Sequence, residues 1–370
     1  MMTRHTKNFQ LSSFNFQLII VLASTMLTSC VNDIPYDAEI GAPKLVLNAM
    51  LRADSTLKAT VGRTAHFLDT EEPQRLSDAT VTATINGEDF TLVYDEASES
   101  YLSYYGLNAG DEVTLTATHA LGTVSATEHV MHPAPIAVTN TTMLPFTPPG
   151  DPLSAVLLNE VDSALLVSIY IDDPAEEANY YRLTIHYEGS YEVTRPDDIY
   201  TRGYHTTAEA FFPHYLFTES STRLLTTSES MSQMFSGLLY MSSTNSFLFT
   251  DQNLRNADGQ PIVDFLFLLE SPASPDYNPE SGWGEGDGWD DNYISPADTA
   301  SRATYHYAFT LERLSEDYYQ YMEDATAFAM TGGAFVGEPT PVHTNIRGGL
   351  GIVGSYNSAE CGGEKRYELR

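Results

Sequence analysis

The pattern that most restricts the fold of this chain is a series of short alternating or β-branched runs separated by turn residues. Seven such runs lie at residues 44–50, 57–61, 79–85, 90–94, 101–104, 112–118 and 122–127. Asn86-Gly87, between the third and fourth runs, is the dipeptide most typical of a two-residue β-hairpin. Alternation buries one face of each strand, and turns at such short intervals favour two packed sheets. We therefore predict that residues 43–134 form an immunoglobulin-like β-sandwich.

A second region of different character follows Pro133 and Pro135, which interrupt the strand pattern near residue 135. Further strand-like runs lie at residues 164–171, 180–187, 246–250, 262–269 and 304–311. Long irregular stretches separate them at residues 188–245 and 271–300, and loops of that length in a compact domain are usually functional or mobile. We expect residues 135–358 to form a larger β-rich domain, followed by a polar tail at residues 359–370.

One amphipathic helix is predicted near residues 315–330. Its apolar positions recur at helical spacing and comprise Leu314, Tyr318, Tyr321, Met322, Ala325, Phe328 and Ala329. Ser315 suits the N-cap, and Gly332-Gly333 ends the pattern. The stripe is interpreted as core packing against a sheet. The predicted fold class is therefore mainly β, with one helix close to the C-terminus.

The first thirty residues have the features of a bacterial lipoprotein signal. Arg4 and Lys7 give a basic start, and an apolar stretch too short to span a bilayer follows. The Leu-Thr-Ser-Cys sequence that ends at Cys30 resembles the lipobox, in which the cysteine thiol is acylated, typically with palmitate, and becomes the mature N-terminus. Residues 1–29 are thus predicted to be a signal peptide and Cys30 the lipidation site. The alternative is an ordinary cleaved signal with an incidental cysteine.

An acidic tether is predicted at residues 30–42, where no helical or strand period is present. Each buried methylene of an acyl chain contributes about 0.8 kcal/mol, so several chains hold a protein stably at a membrane. Acidic residues directly after Cys30 resemble the surface-export signals of Bacteroidetes lipoproteins, although a plain solvated linker has the same composition. We expect the protein to be lipid-anchored in the outer membrane and exposed at the cell surface.

The charge balance excludes several kinds of partner. Residues 1–29 contain two of the 18 basic residues and no acidic ones, so the mature chain has 16 Lys and Arg against 50 Asp and Glu, a formal charge of −34. Such a surface repels phosphate backbones and anionic headgroups, which argues against nucleic-acid binding. Cys361 is the only cysteine besides Cys30, so acylation of Cys30 leaves no intramolecular disulfide.

A loop rich in tryptophan, glycine and acidic residues at residues 283–291 is the main candidate for a binding surface. Trp283 and Trp289 are the only tryptophans of the chain and could anchor a ligand or a protein partner. The acidic residues are Glu285, Asp287, Asp290 and Asp291, whose oxygens could bind calcium. However, Trp289 occupies a position where an EF-type loop needs a carboxylate. A mobile solvated loop, or tryptophans folded back onto the domain, is the alternative, and no other cofactor is indicated.

Other patterns do not indicate an enzyme. Gly349 to Gly354 matches the letters of a dinucleotide fingerprint but lies too near the C-terminus for the helix and second strand that the site requires. His129 and His132 follow a strand and precede a proline, so their spacing does not place them together as metal ligands. The chain has no zinc-protease, serine-hydrolase or phosphate-loop motif.

Several segments resemble a known family. They are residues 173–183 with Asn179-Tyr180-Tyr181, Phe249-Thr250-Asp251, residues 314–321, and residues 344–356 with Asn345-Ile346-Arg347-Gly348-Gly349-Leu350-Gly351. Together with the lipobox and the strand at residues 43–47, they resemble the Bacteroidetes outer-membrane lipoproteins of domain of unknown function 4249. The loop at residues 283–291 departs from the family pattern. The resemblance implies an outer-membrane location and frequent pairing with a TonB-dependent transporter, and it implies no reaction.

Two functions are consistent with these features. The first is an accessory protein of a TonB-dependent outer-membrane transporter, which binds an unknown small ligand or caps the barrel during nutrient uptake. The second is a cell-surface adhesin or structural interaction protein with no transport role, for which Trp283 and Trp289 would form the contact. The two hypotheses differ in whether the partner is a barrel in the same membrane or a molecule outside the cell.

Overall fold

Strands dominate the structure, as the sequence predicts. The computed structural model describes residues 42–65, 74–145, 161–174, 176–194, 204–206, 215–217, 246–270, 299–330 and 341–368. The strands are β1 Leu45–Leu51, β2 Thr56–Arg63, β3 Thr80–Ile85, β4 Glu88–Asp95, β5 Ser100–Gly106, β6 Glu112–His119, β7 Gly122–His129, β8 Ile136–Pro145, β9 Val161–Ile171, β10 Tyr180–Thr194, β11 Tyr204–Thr206, β12 Tyr215–Phe217, β13 Ser246–Thr250, β14 Ile262–Glu270, β15 Thr299–Leu314 and β16 Leu350–Glu368. One helix, α1, spans Glu316–Met330, and a short 3-10 turn spans Asp251–Asn253.

The first seven strands pair in the order β1-β2-β5-β4-β3-β6-β7, and every pair among them is antiparallel. Asn86 and Gly87 connect β3 to β4 with φ angles of 51° and 89°, the left-handed conformations that a type I′ hairpin requires. The sheet curls so that β7 comes near β1. Ser125 of β7 forms a β-bridge with Arg347, and two residues later Gly349 approaches Leu45 of β1. This arrangement is compatible with the predicted immunoglobulin-like sandwich.

The C-terminal strand β16 joins the two halves of the chain. It pairs antiparallel with β15 and, at its start, parallel with β1. Gly351 lies opposite Leu47 with φ of 112°, and a Cβ there would lie 2.1 Å from the Leu47 carbonyl oxygen. Only glycine permits this approach. The residues assigned to a polar tail from residue 359 onward continue β16 to Glu368 and pair with β15.

The second half of the chain places two sheets face to face. One contains β10, β13 and β15, and the other has the order β12-β14-β9-β8. The rings of Phe265 on β14 and Phe309 on β15 are 5.4 Å apart although these strands do not pair, so the rings lie between the sheets. An aromatic core therefore fills this space.

Two hydrophobic clusters correspond to the two halves of the chain. Most side chains of the first come from β1 to Val130, and the second begins at Ala134. The boundary predicted near residue 135 thus falls within the link between β7 and β8. Ile346 and Val353, from the C-terminal segment, belong to the first cluster. Residues 43–370 make up one compact unit, because β16 contributes to both halves.

Helix α1 begins where predicted, and Ser315 is its N-cap by backbone geometry, since the Ser315 carbonyl accepts a hydrogen bond from the Tyr319 amide at 2.9 Å. The Ser315 hydroxyl accepts instead from the Ser355 amide of β16 at 3.1 Å. The predicted apolar stripe is only partly buried. Tyr319, outside that stripe, is 4% exposed, whereas Phe328 is 42% exposed, so the prediction that Phe328 packs into the core is wrong.

Within the part of the chain that the structure describes, no helix has the length and hydropathy needed to cross a membrane.

Candidate functional site

A cavity of about 470 Å³ lies where three connecting segments meet β16. Its lining residues are Arg52, Ala53, Asp54 and Ser55 from the β1–β2 turn, Asn108 and Ala109 from the β5–β6 turn, Pro133 from the link to β8, and Asn357 and Ser358 from β16. This volume lies within the range of ordinary small-molecule sites, about 300–1,000 Å³. The cavity is therefore the candidate functional site among the described residues.

The β1–β2 turn has a fixed shape. Asp54 adopts a φ of 56°, a left-handed conformation that aspartate tolerates better than most residues. Its amide donates to the Leu107 carbonyl at 2.8 Å, and the Leu107 amide donates to the Ser55 carbonyl at 3.0 Å. The Ser55 hydroxyl donates to the Arg52 carbonyl at 2.6 Å. These bonds give the β1–β2 turn its shape and join it to the β5–β6 turn, so that two walls of the cavity are connected.

Asp111, which is buried, organises the β5–β6 turn. One carboxylate oxygen accepts from the Asn108 amide at 2.7 Å, and the other accepts from the Asn86 side-chain nitrogen at 2.8 Å. The Gly110 amide donates to the Val130 carbonyl at 2.7 Å. Asn108 is thus held against the link between β7 and β8.

The link between β7 and β8 forms the third wall of the cavity, and two hydrogen bonds join it to β16. The Asn357 side-chain nitrogen donates to the Met131 carbonyl at 2.6 Å, and the Met131 amide donates to the Ser355 hydroxyl at 2.9 Å. Pro133 follows in the same link. Because all three segments are held to their neighbours, the cavity is formed before any ligand arrives, as is usual for binding sites.

The lining contains both signs of charge. The guanidinium of Arg52 lies 5.9 Å from the centre of the Tyr356 ring, a cation–π contact that restricts its position. Within the described residues no carboxylate lies within ion-pair distance of Arg52, whereas Arg75, Arg255 and Arg313 each have an acidic partner. Asp54 lines the same cavity. The site can therefore present a cation and an anion to one ligand.

A second polar cluster is buried at the start of β10. Asp173, whose side chain is 2% exposed, accepts from the Tyr181 hydroxyl at 2.7 Å, from the Asn179 side-chain nitrogen at 3.1 Å and from Arg255 at 3.2 Å. Burial raises the pKa of Asp173, and the hydrogen bond from Tyr181 opposes that rise. Burial and the bond to Asp173 also raise the pKa of Tyr181.

This cluster connects two loops. The side-chain nitrogen of Asn179 also donates to the carbonyls of Pro174 and Glu177 at 3.2 and 3.0 Å, and the main-chain carbonyl of Asn179 accepts from the Asp251 amide at 3.0 Å. The loop before β10 is thereby fastened to the 3-10 turn after β13. Because the polar groups of these side chains bond mainly to one another and to the two loops, we interpret the cluster as a structural clamp.

Glu128 on β7 is a third buried polar residue, 8% exposed. Its carboxylate accepts from the His129 amide at 2.8 Å. Burial raises the pKa of Glu128, an effect that the neighbouring Ser315 hydroxyl opposes and that the negative charge of Asp317 increases. It lies close to the start of α1, away from the lining of the cavity.

The site residues predicted from the sequence lie outside the described residues. These are the lipidation site Cys30, the tryptophans Trp283 and Trp289, and the acidic residues Glu285, Asp287, Asp290 and Asp291. In the described part of the chain, no group of three or more His, Cys, Asp or Glu side chains is placed to hold a metal ion.

The histidines, the glycines and Cys361 are placed as follows. His129 is exposed and lies 3.6 Å from Glu112, and it forms no described metal site with His132. The glycine-rich segment enters β16 and not a helix, so it lacks the helix N-terminus that a dinucleotide site requires. Of its glycines only Gly354 faces α1, where a Cβ would lie 2.7 Å from the Tyr318 Cβ, and Gly348, Gly349 and Gly351 approach strands. Burial raises the pKa of Cys361 to about 11, so it remains a thiol at neutral pH.

The sequence reasoning missed the lining of the cavity. Asp54, Asn108 and Ala109 lie between predicted strands, where such residues normally indicate only a turn. Their one distinguishing signal is the proximity of Arg52 to Asp54 in a chain with few basic residues. That signal does not show that residues 52–55 and residue 357 meet in space.

The chain belongs to the family described as Domain of unknown function (DUF4249), whose model matches residues 31–361. The match covers most of the chain and every lining residue of the cavity. A comparison with curated proteins found no match.

Proposed function

We propose that this protein is a lipid-anchored outer-membrane lipoprotein of the Bacteroidetes type that serves as an accessory component of a TonB-dependent transporter. It captures a small ligand and presents it to the barrel. The observation that carries the ligand-binding part is the preformed cavity lined by Arg52 and Asp54. The signal ending at Cys30 and the family resemblance support the location and the partner.

The location of the cavity is consistent with ligand capture. Its walls are turns and a link, the segments that usually carry binding residues on a rigid β scaffold. The hydrogen bonds from Asp111, Asn357 and Ser355 hold these walls in place. A site of this kind loses little conformational entropy on binding, which increases affinity.

Anchoring is tested by replacing each cysteine in turn. Cys30→Ala should abolish incorporation of labelled palmitate and release the protein from the membrane fraction, because the acyl chains provide the membrane affinity. Cys361→Ala is the matched control, since it removes the only other thiol and should leave labelling unchanged. Palmitate incorporation that survives Cys30→Ala would contradict the anchor.

The partner is tested by purifying the tagged full-length lipoprotein from native membranes in mild detergent. A TonB-dependent barrel should co-purify in a fixed ratio and be identified by mass spectrometry. Absence of any such barrel would refute the accessory role. If Trp283→Ala with Trp289→Ala then abolished attachment of the cells to a surface, the adhesin hypothesis would replace it.

A further inference from the structure

We propose that the Arg52 cavity binds a small zwitterion, namely an amino acid or short peptide with a free ammonium group and a free carboxylate. This inference rests on the proposed ligand-capturing function and names the chemical class of its ligand. In this assignment Arg52 binds the carboxylate and Asp54 binds the ammonium group.

Arg52 is available for a ligand. The structure places Arg182 against Glu312, Arg255 against Asp173 and Arg313 against Glu177. Arg52 is exposed and has no such carboxylate partner among the described residues. Its guanidinium lies over the Tyr356 ring, 5.9 Å from the ring centre, a contact that favours one position without neutralising the charge. A planar guanidinium held in this way matches the two oxygens of a carboxylate.

Asp54 supplies the opposite charge. It lines the same cavity two residues from Arg52, in a turn that the bonds to Leu107 make rigid. Its side chain is exposed, and among the described residues no basic side chain forms an ion pair with it, so its carboxylate is open to an ammonium group. A zwitterion can pair with both Arg52 and Asp54, whereas a ligand with one charge can pair with only one of them.

The charge of the mature protein disfavours anionic ligands. Its formal net charge of −34 creates a potential that repels free anions and slows their approach. A zwitterion has no net charge and is not repelled, yet it can use Arg52 once bound. A purely anionic ligand is therefore disfavoured even though the cavity contains an arginine.

A neutral sugar is a poorer match to the cavity. The lining residues include no aromatic side chain on which a sugar ring could stack, and a sugar would leave both charges of the lining without a partner. The volume of about 470 Å³ suits a short peptide rather than a long chain. Size, charge and lining therefore agree on a zwitterion.

The test measures binding to the purified full-length lipoprotein in detergent by saturation-transfer NMR titration. Four probes are compared: alanyl-alanine, its N-acetyl derivative without the ammonium group, its C-terminal amide without the carboxylate, and maltose. Alanyl-alanine should bind, and each capped derivative should bind at least about tenfold more weakly, since each loses a charge-assisted contact. Maltose should not compete.

Two variants assign the ends of the ligand. Arg52→Gln should weaken alanyl-alanine at least about tenfold and leave the affinity of the amide unchanged, while Asp54→Asn should weaken alanyl-alanine and leave the N-acetyl derivative unchanged. Asparagine tolerates the left-handed conformation of residue 54, so this variant should fold. Arg366→Gln on β16 and Asp258→Asn in the turn before β14 are matched controls that should bind like the wild type.

Equal affinity for the parent and both capped probes would overturn the inference, as would an unchanged affinity in Arg52→Gln. Absence of alanyl-alanine binding would overturn it even where the barrel still co-purifies, and the accessory role would then survive alone. Conversely, binding of alanyl-alanine without a co-purifying barrel would support the zwitterion site and refute the transporter partner.

Discussion

The two halves of this protein fill their cores with different side chains. Among the described residues, the first cluster has 21 members, of which only Tyr101 is aromatic. The second cluster has 18 members and eight of them are phenylalanine or tyrosine. Small aliphatic side chains let the short strands of the first half curl closely. Aromatic rings bury about 150–250 Å² each and fill the wider space between two sheets of longer strands.

Two buried carboxylates, one from each half, differ in how many donors surround them. Asp173 in the second half has three side-chain donors, from Tyr181, Asn179 and Arg255. Glu128 in the first half has fewer donors and a negatively charged neighbour in Asp317. Burial raises the pKa of both carboxylates. Asp173→Ala would leave three donors without their acceptor, whereas Glu128→Gln would keep an acceptor and remove only the charge, so these two replacements should change stability in opposite directions.

The largest effect is expected for the aromatic core. Phe265→Ala removes a ring that contacts Phe247 and Phe309, and should lower the free energy of unfolding by about 3–5 kcal/mol. Leu115→Ala, in the aliphatic core, should cost somewhat less, about 3 kcal/mol. Urea denaturation measures both, and Phe328→Ala, at an exposed ring, should change the value by less than about 0.5 kcal/mol. A smaller cost for Phe265→Ala than for Leu115→Ala would show that the aromatic core is not the more stabilising one.

A somewhat smaller loss is expected at the clamp. Asp173→Ala leaves the Tyr181 hydroxyl and the Arg255 guanidinium without their buried acceptor, and should cost about 3 kcal/mol in the same urea measurement. Asp172→Ala is the matched control. The Asp172 side chain is exposed, so its removal should lower the free energy of unfolding by less than about 0.5 kcal/mol. Equal effects of the two replacements would mean that the hydrogen bonds of Asp173 contribute no more to stability than an exposed carboxylate does.

The smallest effect is expected at Glu128, and it should have the opposite sign. Because burial raises its pKa, the folded chain binds more protons than the unfolded chain between the ordinary pKa, 4.5, and the raised one. Stability from this group therefore falls as pH rises through that window. Glu128→Gln should increase the Tm at pH 7, and the difference from wild type should vanish below about pH 4.

Thermal unfolding at the two pH values measures this effect. Glu360→Gln, at an exposed position of β16, is the control and should leave the Tm unchanged at both. A lower Tm for Glu128→Gln at pH 7 would show that the charged carboxylate is better solvated than its burial indicates. The contrast with Asp173 would then disappear.

Much of the secondary structure could be predicted because its signals are local. The alternation of residues 112–118 buries Val113, Leu115 and Ala117 and gives β6, and Asn86-Gly87 gives the hairpin between β3 and β4. The helix was placed correctly from its spacing, although Tyr319 and not Phe328 faces the core. Spacing defines a stripe, but the packing of α1 on β10 and β16 decides which edge of that stripe is covered.

The candidate site could not be predicted in the same way. Arg52 and Asn357 are separated by some three hundred residues, and they meet because β16 pairs in parallel with β1. Nothing local to either residue indicates this pairing. The buried role of Asp173 was likewise missed, since an Asp-Pro sequence before a strand has the appearance of an exposed turn.

The amino-acid sequence by itself determined most of the strands, the hairpin, the helix and the membership of the family, because side-chain period, turn chemistry and motif are written along the chain. It did not predict β8, nor β11 and β12 within the stretch 188–245 that was expected to be irregular. Only the tertiary structure decided that the last strand joins both halves, that the polar segment after residue 359 is part of it, and that a charged cavity opens beside it. The physical reason is that pairing between distant strands depends on backbone hydrogen bonds, which every residue except proline can donate and accept, and which the sequence therefore does not identify.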